Sequence, residues 1–124
     1  MDVVLYDREL DIMQVLWERG SATVGEVRAA LADDLAYTTV ATMLRILEEK
    51  GYARREEEGR AHRYFPLVER QQARDGALGR ISRKLFKDSP ELLLTHIVSD
   101  RRLSRDQLQR IRELLDERLE EDEA

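Results

Sequence analysis

Residues 37–51 read Tyr37-Thr-Thr-Val-Ala-Thr-Met-Leu-Arg-Ile-Leu-Glu-Glu-Lys-Gly51, and the fold is decided in this stretch. Val40, Met43, Leu44 and Leu47 recur at steps of three and four, which is the stripe of a helix packed on a core. The spacing predicts a helix that starts at Thr38 or Thr39, runs to Lys50 and stops at Gly51. The opposite side reads Thr38, Thr42, Arg45, Glu49. It carries small hydroxyls near the N-terminus and a long cation one turn later, and it lacks bulky apolar side chains.

Two shorter helices are expected upstream. Leu10, Met13, Leu16 and Trp17 form a helical stripe, with Asp7 as N-cap and Gly20 just past the end. Trp17 is expected in the core. Thr23-Val-Gly-Glu26 has the form of a capping box, with Ala22 and Val27 at the staple positions. Val27, Ala30 and Leu31 are the buried stripe expected of this second helix. Downstream of Gly51 the period changes to two. Tyr52–Glu56 and His62–Pro66 flank Glu57-Glu-Gly-Arg60, which reads as a β-hairpin turning at Gly59. Two short helices, a third with an outward polar face and a hairpin make a winged helix–turn–helix.

The rest of the chain reads as helical. Ala73, Ala77, Ile81 and Leu85 repeat every four residues. Ser89-Pro90 opens a second segment, Leu92–Val98, which is apolar nearly all round. Ser104-Arg-Asp-Gln107 is another capping box, followed by Leu108, Ile111, Leu115 and Leu119 on one face. An acidic run, Glu120–Glu123, closes the chain. The expected fold is mainly α with a small β-wing, with a winged helix–turn–helix over 1–68 and a helical dimerisation region over 69–124. Helices this short form a marginal core alone. A second copy related by a two-fold axis would cover Ile81, Leu85, Leu92, Leu93, Ile97, Leu108, Ile111 and Leu115. The competing arrangement folds these helices back on their own winged domain.

Composition excludes several chemistries. The 124 residues contain no cysteine, so disulfides, thiolate catalysis and cysteine-ligated metals are ruled out. His62 and His96 lie in different modules, and the glycines stand apart rather than in a phosphate loop. His62 is expected solvated or facing phosphate, and His96 packed at an interface. Asp33-Asp34 and Glu48-Glu49 are sequence neighbours that diverge on a helix. No catalytic constellation, cofactor or metal site is expected. No apolar run approaches the ~20 residues of a membrane span, and the acidic N-terminus is not a signal peptide. A cytoplasmic protein without membrane contact is expected.

Net charge is −5, which alone argues against a polyanionic partner. Yet residues 37–65 hold six bases against five acids, a balance of +1. An α-helix fits the major groove of B-DNA, about 12 Å wide. The expected DNA-binding residues are Thr38, Thr39, Thr42, Arg45 and Lys50 of the helix, with Arg60, His62 and Arg63 of the wing. Read as ordinary solvated surface, the same arginines would carry no function. A winged-helix module that binds protein and no nucleic acid is the alternative function, and the acidic total is its support.

The string Leu35-Ala-Tyr-Thr-Thr-Val-Ala-Thr-Met-Leu-Arg-Ile-Leu-Glu-Glu-Lys-Gly51 resembles the penicillinase-repressor family (BlaI/MecI/CopY type). So do Leu5…Glu9…Ile12-Met13…Leu16-Trp17, Thr23-Val24…Glu26-Val27 and Gly59-Arg60-Ala-His-Arg-Tyr64. The likeness is strong over 5–68 and weaker beyond. It implies a homodimeric bacterial repressor of winged-helix type, on double-stranded DNA operators of two-fold symmetry often found upstream of resistance genes. It implies that the helix from Thr38 enters the major groove, with Arg60 and His62–Tyr64 in the wing. It also implies a sensor protease as a partner, since the β-lactam branch is cut at an Asn-Phe bond. This chain has no asparagine, and the corresponding stretch is Thr95-His96-Ile97. The cysteine-rich tail of the copper branch is missing too. Tyr6 stands where the family usually has a Ser or Thr cap.

Overall fold

A computed structural model describes residues 2–124. Helices α1 (Asp7–Arg19), α2 (Val24–Ala30) and α3 (Tyr37–Glu49) precede a hairpin of β2 (Ala53–Glu58) and β3 (Ala61–Pro66). A two-residue strand, β1 (Ala22–Thr23), lies between α1 and α2. Helices α4 (Arg70–Leu85), α5 (Pro90–Val98) and α6 (Arg105–Glu123) follow. The sheet is antiparallel in the order β1-β3-β2, so β3 pairs on both edges. The architecture is mainly helical with a small wing, as the sequence predicts.

The chain divides into two compact units, the first ending at Arg80 and the second running Ile81–Ala124. In the first unit Ile12, Met13 and Leu16 of α1 meet Val27 of α2 and Val40, Leu44 and Leu47 of α3, all fully enclosed. Ala53 and Tyr64 close this core from the sheet, Tyr52 from the bend just before β2, and Val3, Val68 and Ala73 from outside the winged-helix motif. The unit therefore extends past Val68 because the start of α4 packs on it. The Cβ that Gly76 lacks would stand 2.3 Å from the Val3 carbonyl oxygen. That close approach seats the N-terminal segment, and Arg80 donates to the same carbonyl at 3.2 Å.

Local signals place most helix ends. Thr23 Oγ1 accepts from Glu26 N–H at 3.2 Å, and the Glu26 carboxylate accepts from Thr23 N–H at 3.0 Å. These backbone bonds, with Arg63 and Arg19 nearby, hold Glu26 below the usual carboxylate range. Protonation of Glu26 in acid therefore weakens this cap. Ser104 and Gln107 form the same reciprocal pair at 3.0 and 2.8 Å. Gly59, at φ +60°, is the first residue of the two-residue hairpin turn between Glu58 and Ala61.

Three local expectations are corrected. Asp7 is not a cap but the first helical residue of α1, whose N-cap is Tyr6. There Glu9 reaches back to accept from Tyr6 N–H at 2.9 Å. Ala30 is exposed and Val24 is buried, because α2 is only two turns long and turns its N-terminal end inward. Trp17 packs against the core as expected, half-buried, with its indole N–H donating to the Val68 carbonyl at 2.8 Å. The wing strands also run to Glu58 and from Ala61, so Glu57 and Glu58 belong to β2 rather than to the turn.

In the second unit no residue of α5 or α6 is buried. Lys87 and Asp88 take left-handed conformations after α4. Ser89 then caps α5 by accepting from Leu92 N–H at 3.2 Å. His96 is exposed and stands edge-on to Phe86, with ring centres 5.7 Å apart. Among the described residues no helix is long and apolar enough to cross a membrane.

Candidate nucleic-acid interface

The core stripe of α3 fixes which residues face out. With Val40, Leu44 and Leu47 fully enclosed, the helical period turns Thr38, Thr42, Arg45 and Glu49 to the opposite side. All four are exposed, as is Thr39. Thr39 shares a line along the helix with Ile46, which is 39 % exposed. The face therefore has an apolar flank that the outward heptad of small and charged residues did not reveal.

The N-terminus of α3 is uncapped. Ala36 offers no side-chain acceptor, so the first backbone N–H groups of the helix lack intrahelical partners. Those of Tyr37, Thr38 and Thr39 lie in the turn that carries Thr38 and Thr39. The positive end of the helix dipole and free donors suit an anion. Arg45 makes no hydrogen bond or ion pair among the described residues, and neither does Arg60 at the wing tip.

Two of the expected contacts have duties within the fold. Lys50 pairs at 2.8 Å with Glu9, the buried carboxylate of α1, and its ammonium lies 4.8 Å from the centre of the Tyr6 ring. Arg63 bonds Glu58 and Glu26 at 2.8 and 2.9 Å and Ser21 at 3.2 Å. It clamps β3 to the start of α2, and these carboxylates raise its pKa still further. His62 is half-buried, and its Nδ1 is enclosed without a hydrogen bond among the described residues. Arg55 links the wing to α3 through Glu48 at 3.4 Å. Arg54 lies over the Phe65 ring, 4.2 Å from its centre, and bonds Glu56 at 2.6 Å. Three of the five acids in residues 37–65, Glu48, Glu56 and Glu58, are thus engaged by wing arginines, while Glu49 stays exposed at the far end of the outward face of α3.

The eight apolar residues expected at an interface are distributed over α4, α5 and α6. Ile81, Leu85, Leu92, Ile97, Leu108 and Leu115 are exposed, and Leu93 and Ile111 are half-exposed. Leu78, Leu114 and Leu119 are exposed as well.

Comparison with known proteins matches this geometry to a family. A sequence model of the penicillinase repressor family covers residues 5–117. The chain is 44% identical over 66 residues to the transcriptional regulator BlaI of Mycobacterium tuberculosis, a match of 51% of this chain and 48% of that one. This match thus spans about half the length of that relative. It is 21% identical over 112 residues to the methicillin resistance regulatory protein MecI of Staphylococcus aureus, covering 89% of this chain and 91% of that one. The solution structure of the DNA-binding domain of the repressor BlaI superimposes with a TM-score of 0.52 at 30% identity, over 58% of this chain and 90% of that domain. A MarR-family protein from Bacillus stearothermophilus shares the fold at 19% identity, with a TM-score of 0.52 over 98% of this chain and 78% of the other. With its capped second helix, open-faced third helix and short wing inside a sequence match that reaches from Leu5 to Glu117, this chain belongs to the penicillinase repressor family.

Proposed function

We propose that the chain is a DNA-binding transcriptional repressor that works as a homodimer on an operator of two-fold symmetry. The observation that carries this is the outward side of α3. It presents hydroxyls, free backbone donors and one unpaired guanidinium at the end of the helix that a major groove admits first. Thr38, Thr39 and Thr42 would bond phosphates or base edges. Arg45, further along the helix, would reach a guanine edge, and Arg60 the backbone of the adjacent groove. Lys50 and Arg63 would act by fixing the positions of α1, α3 and the wing, since both are held by carboxylates. Family membership and the BlaI DNA-binding domain support the same reading.

Arg45→Ala tests the contact. Binding would be measured by anisotropy to a duplex selected from a random library with the full chain. Affinity for the selected duplex should fall by about 1–3 kcal/mol, with relaxed preference at one base pair. Unchanged binding to random duplexes is expected alongside. An equal loss on both would make Arg45 a phosphate contact, and no loss on either would contradict the assignment of α3.

Residues 69–124 would form the dimer. The helices α5 and α6 bury nothing of their own yet carry a row of large apolar side chains. A two-fold copy of the same surface covers such a row without any new sequence feature. Joining two half-sites then raises the effective concentration of the second on DNA. Leu108→Asp and Ile111→Asp should give monomers in sedimentation and weaken operator binding. Monomers of full affinity would reject the dimer.

A further inference from the structure

The first unit contains a cavity of about 400 Å³ that the DNA-facing surface does not use. It lies between α1, the N-terminal segment and the first half of α4. Volumes of roughly 300–1,000 Å³ are usual for small-molecule sites. Its floor is apolar, with Leu10, Ala77 and the indole of Trp17. Its rim carries Arg70, Arg74 and Arg80 against a single carboxylate, Glu18. Arg80 is occupied with the Val3 carbonyl, and Arg70 lies over Trp17 at 5.5 Å from its centre. Arg74 is exposed and makes no hydrogen bond or ion pair among the described residues. The cavity is held open by the backbone contact at Gly76, since a fixed N-terminal segment supplies its Val3 and Leu5 wall.

From this arrangement we infer that the cavity binds a small aromatic carboxylate, its ring on the Trp17–Leu10–Ala77 floor and its carboxylate on Arg74, assisted by Arg70. The charge balance of the rim selects an anion over a neutral or cationic analogue. A planar guanidinium accepts a carboxylate in bidentate geometry. The floor gives an aromatic ring an apolar bed and an indole to stack on. This site is independent of DNA binding and stands whether or not α3 contacts a duplex.

Trp17 is the chain's single tryptophan, so its emission reports on this cavity with no second indole contributing. The full chain would be titrated with benzoate, benzyl alcohol and benzylamine in parallel. Benzoate should give a saturable change in Trp17 emission, in the millimolar range that a ligand of this size reaches. Benzyl alcohol and benzylamine should bind at least fivefold more weakly. Arg74→Gln should weaken benzoate at least fivefold with an unchanged thermal transition, and Arg60→Gln on the wing should leave it as in the parent. Absence of saturation with benzoate, equal binding of benzyl alcohol, or an Arg74→Gln chain that titrates like the parent would each overturn the assignment.

Discussion

Thr42→Glu will strongly weaken operator binding and leave the folded state intact. Thr42 is exposed in the middle of the outward face of α3, between Thr38 and Arg45. A carboxylate there would meet the phosphate-lined groove, where like charges juxtaposed cost several kcal/mol. The expected loss is about 2–4 kcal/mol, or roughly 30- to 1,000-fold in Kd. Glutamate is a better helix former than threonine, so stability should not fall. Anisotropy with the selected duplex reads the first effect, and a urea transition the second. Retained affinity in the folded variant would remove α3 from the groove.

Gly76→Ala is the second large effect, and here the sign is the test. In the interior of α4, alanine should stabilise over glycine by about 1 kcal/mol on helix propensity alone. The new methyl, however, would stand 2.3 Å from the Val3 oxygen, a backbone atom already accepting from Arg80. Val3 is itself enclosed, and the Val4 N–H is held by the Tyr52 hydroxyl at 2.9 Å. The segment cannot yield without losing these contacts. Overpacking of this kind costs about 1–3 kcal/mol. The urea midpoint should therefore fall, with residues 2–5 losing amide protection first. A rise in midpoint would mean that the segment does not pack on α4.

The parts of this fold that are legible in sequence are those whose cause is local. Thr23 and Glu26 are three residues apart, and so are Ser104 and Gln107, so their caps follow from composition at fixed spacing. The Val40–Leu47 stripe gives the inner face of α3 and, by exclusion, the outer one. What stayed hidden depends on pairs distant in the chain. Glu9 and Lys50 are 41 positions apart, and Lys50 reads as a surface base until the fold brings it to a buried carboxylate. Arg63 likewise reads as a free wing cation, but three groups from Ser21 to Glu58 hold it. Strand β1 has two residues, too few for any periodicity, and exists only through its pairing with β3. The cavity by Trp17 needs Val3 against Gly76, a contact that no spacing rule anticipates.

The most direct measurement is amide chemical-shift mapping of the full chain as the selected duplex is added. The largest perturbations are expected at Thr38, Thr39, Thr42 and Arg45, with a second group at Gly59 and Arg60, all shrinking as salt is raised. Binding that leaves those amides unmoved while other surfaces respond, or no duplex binding at low salt, would contradict a groove-reading α3.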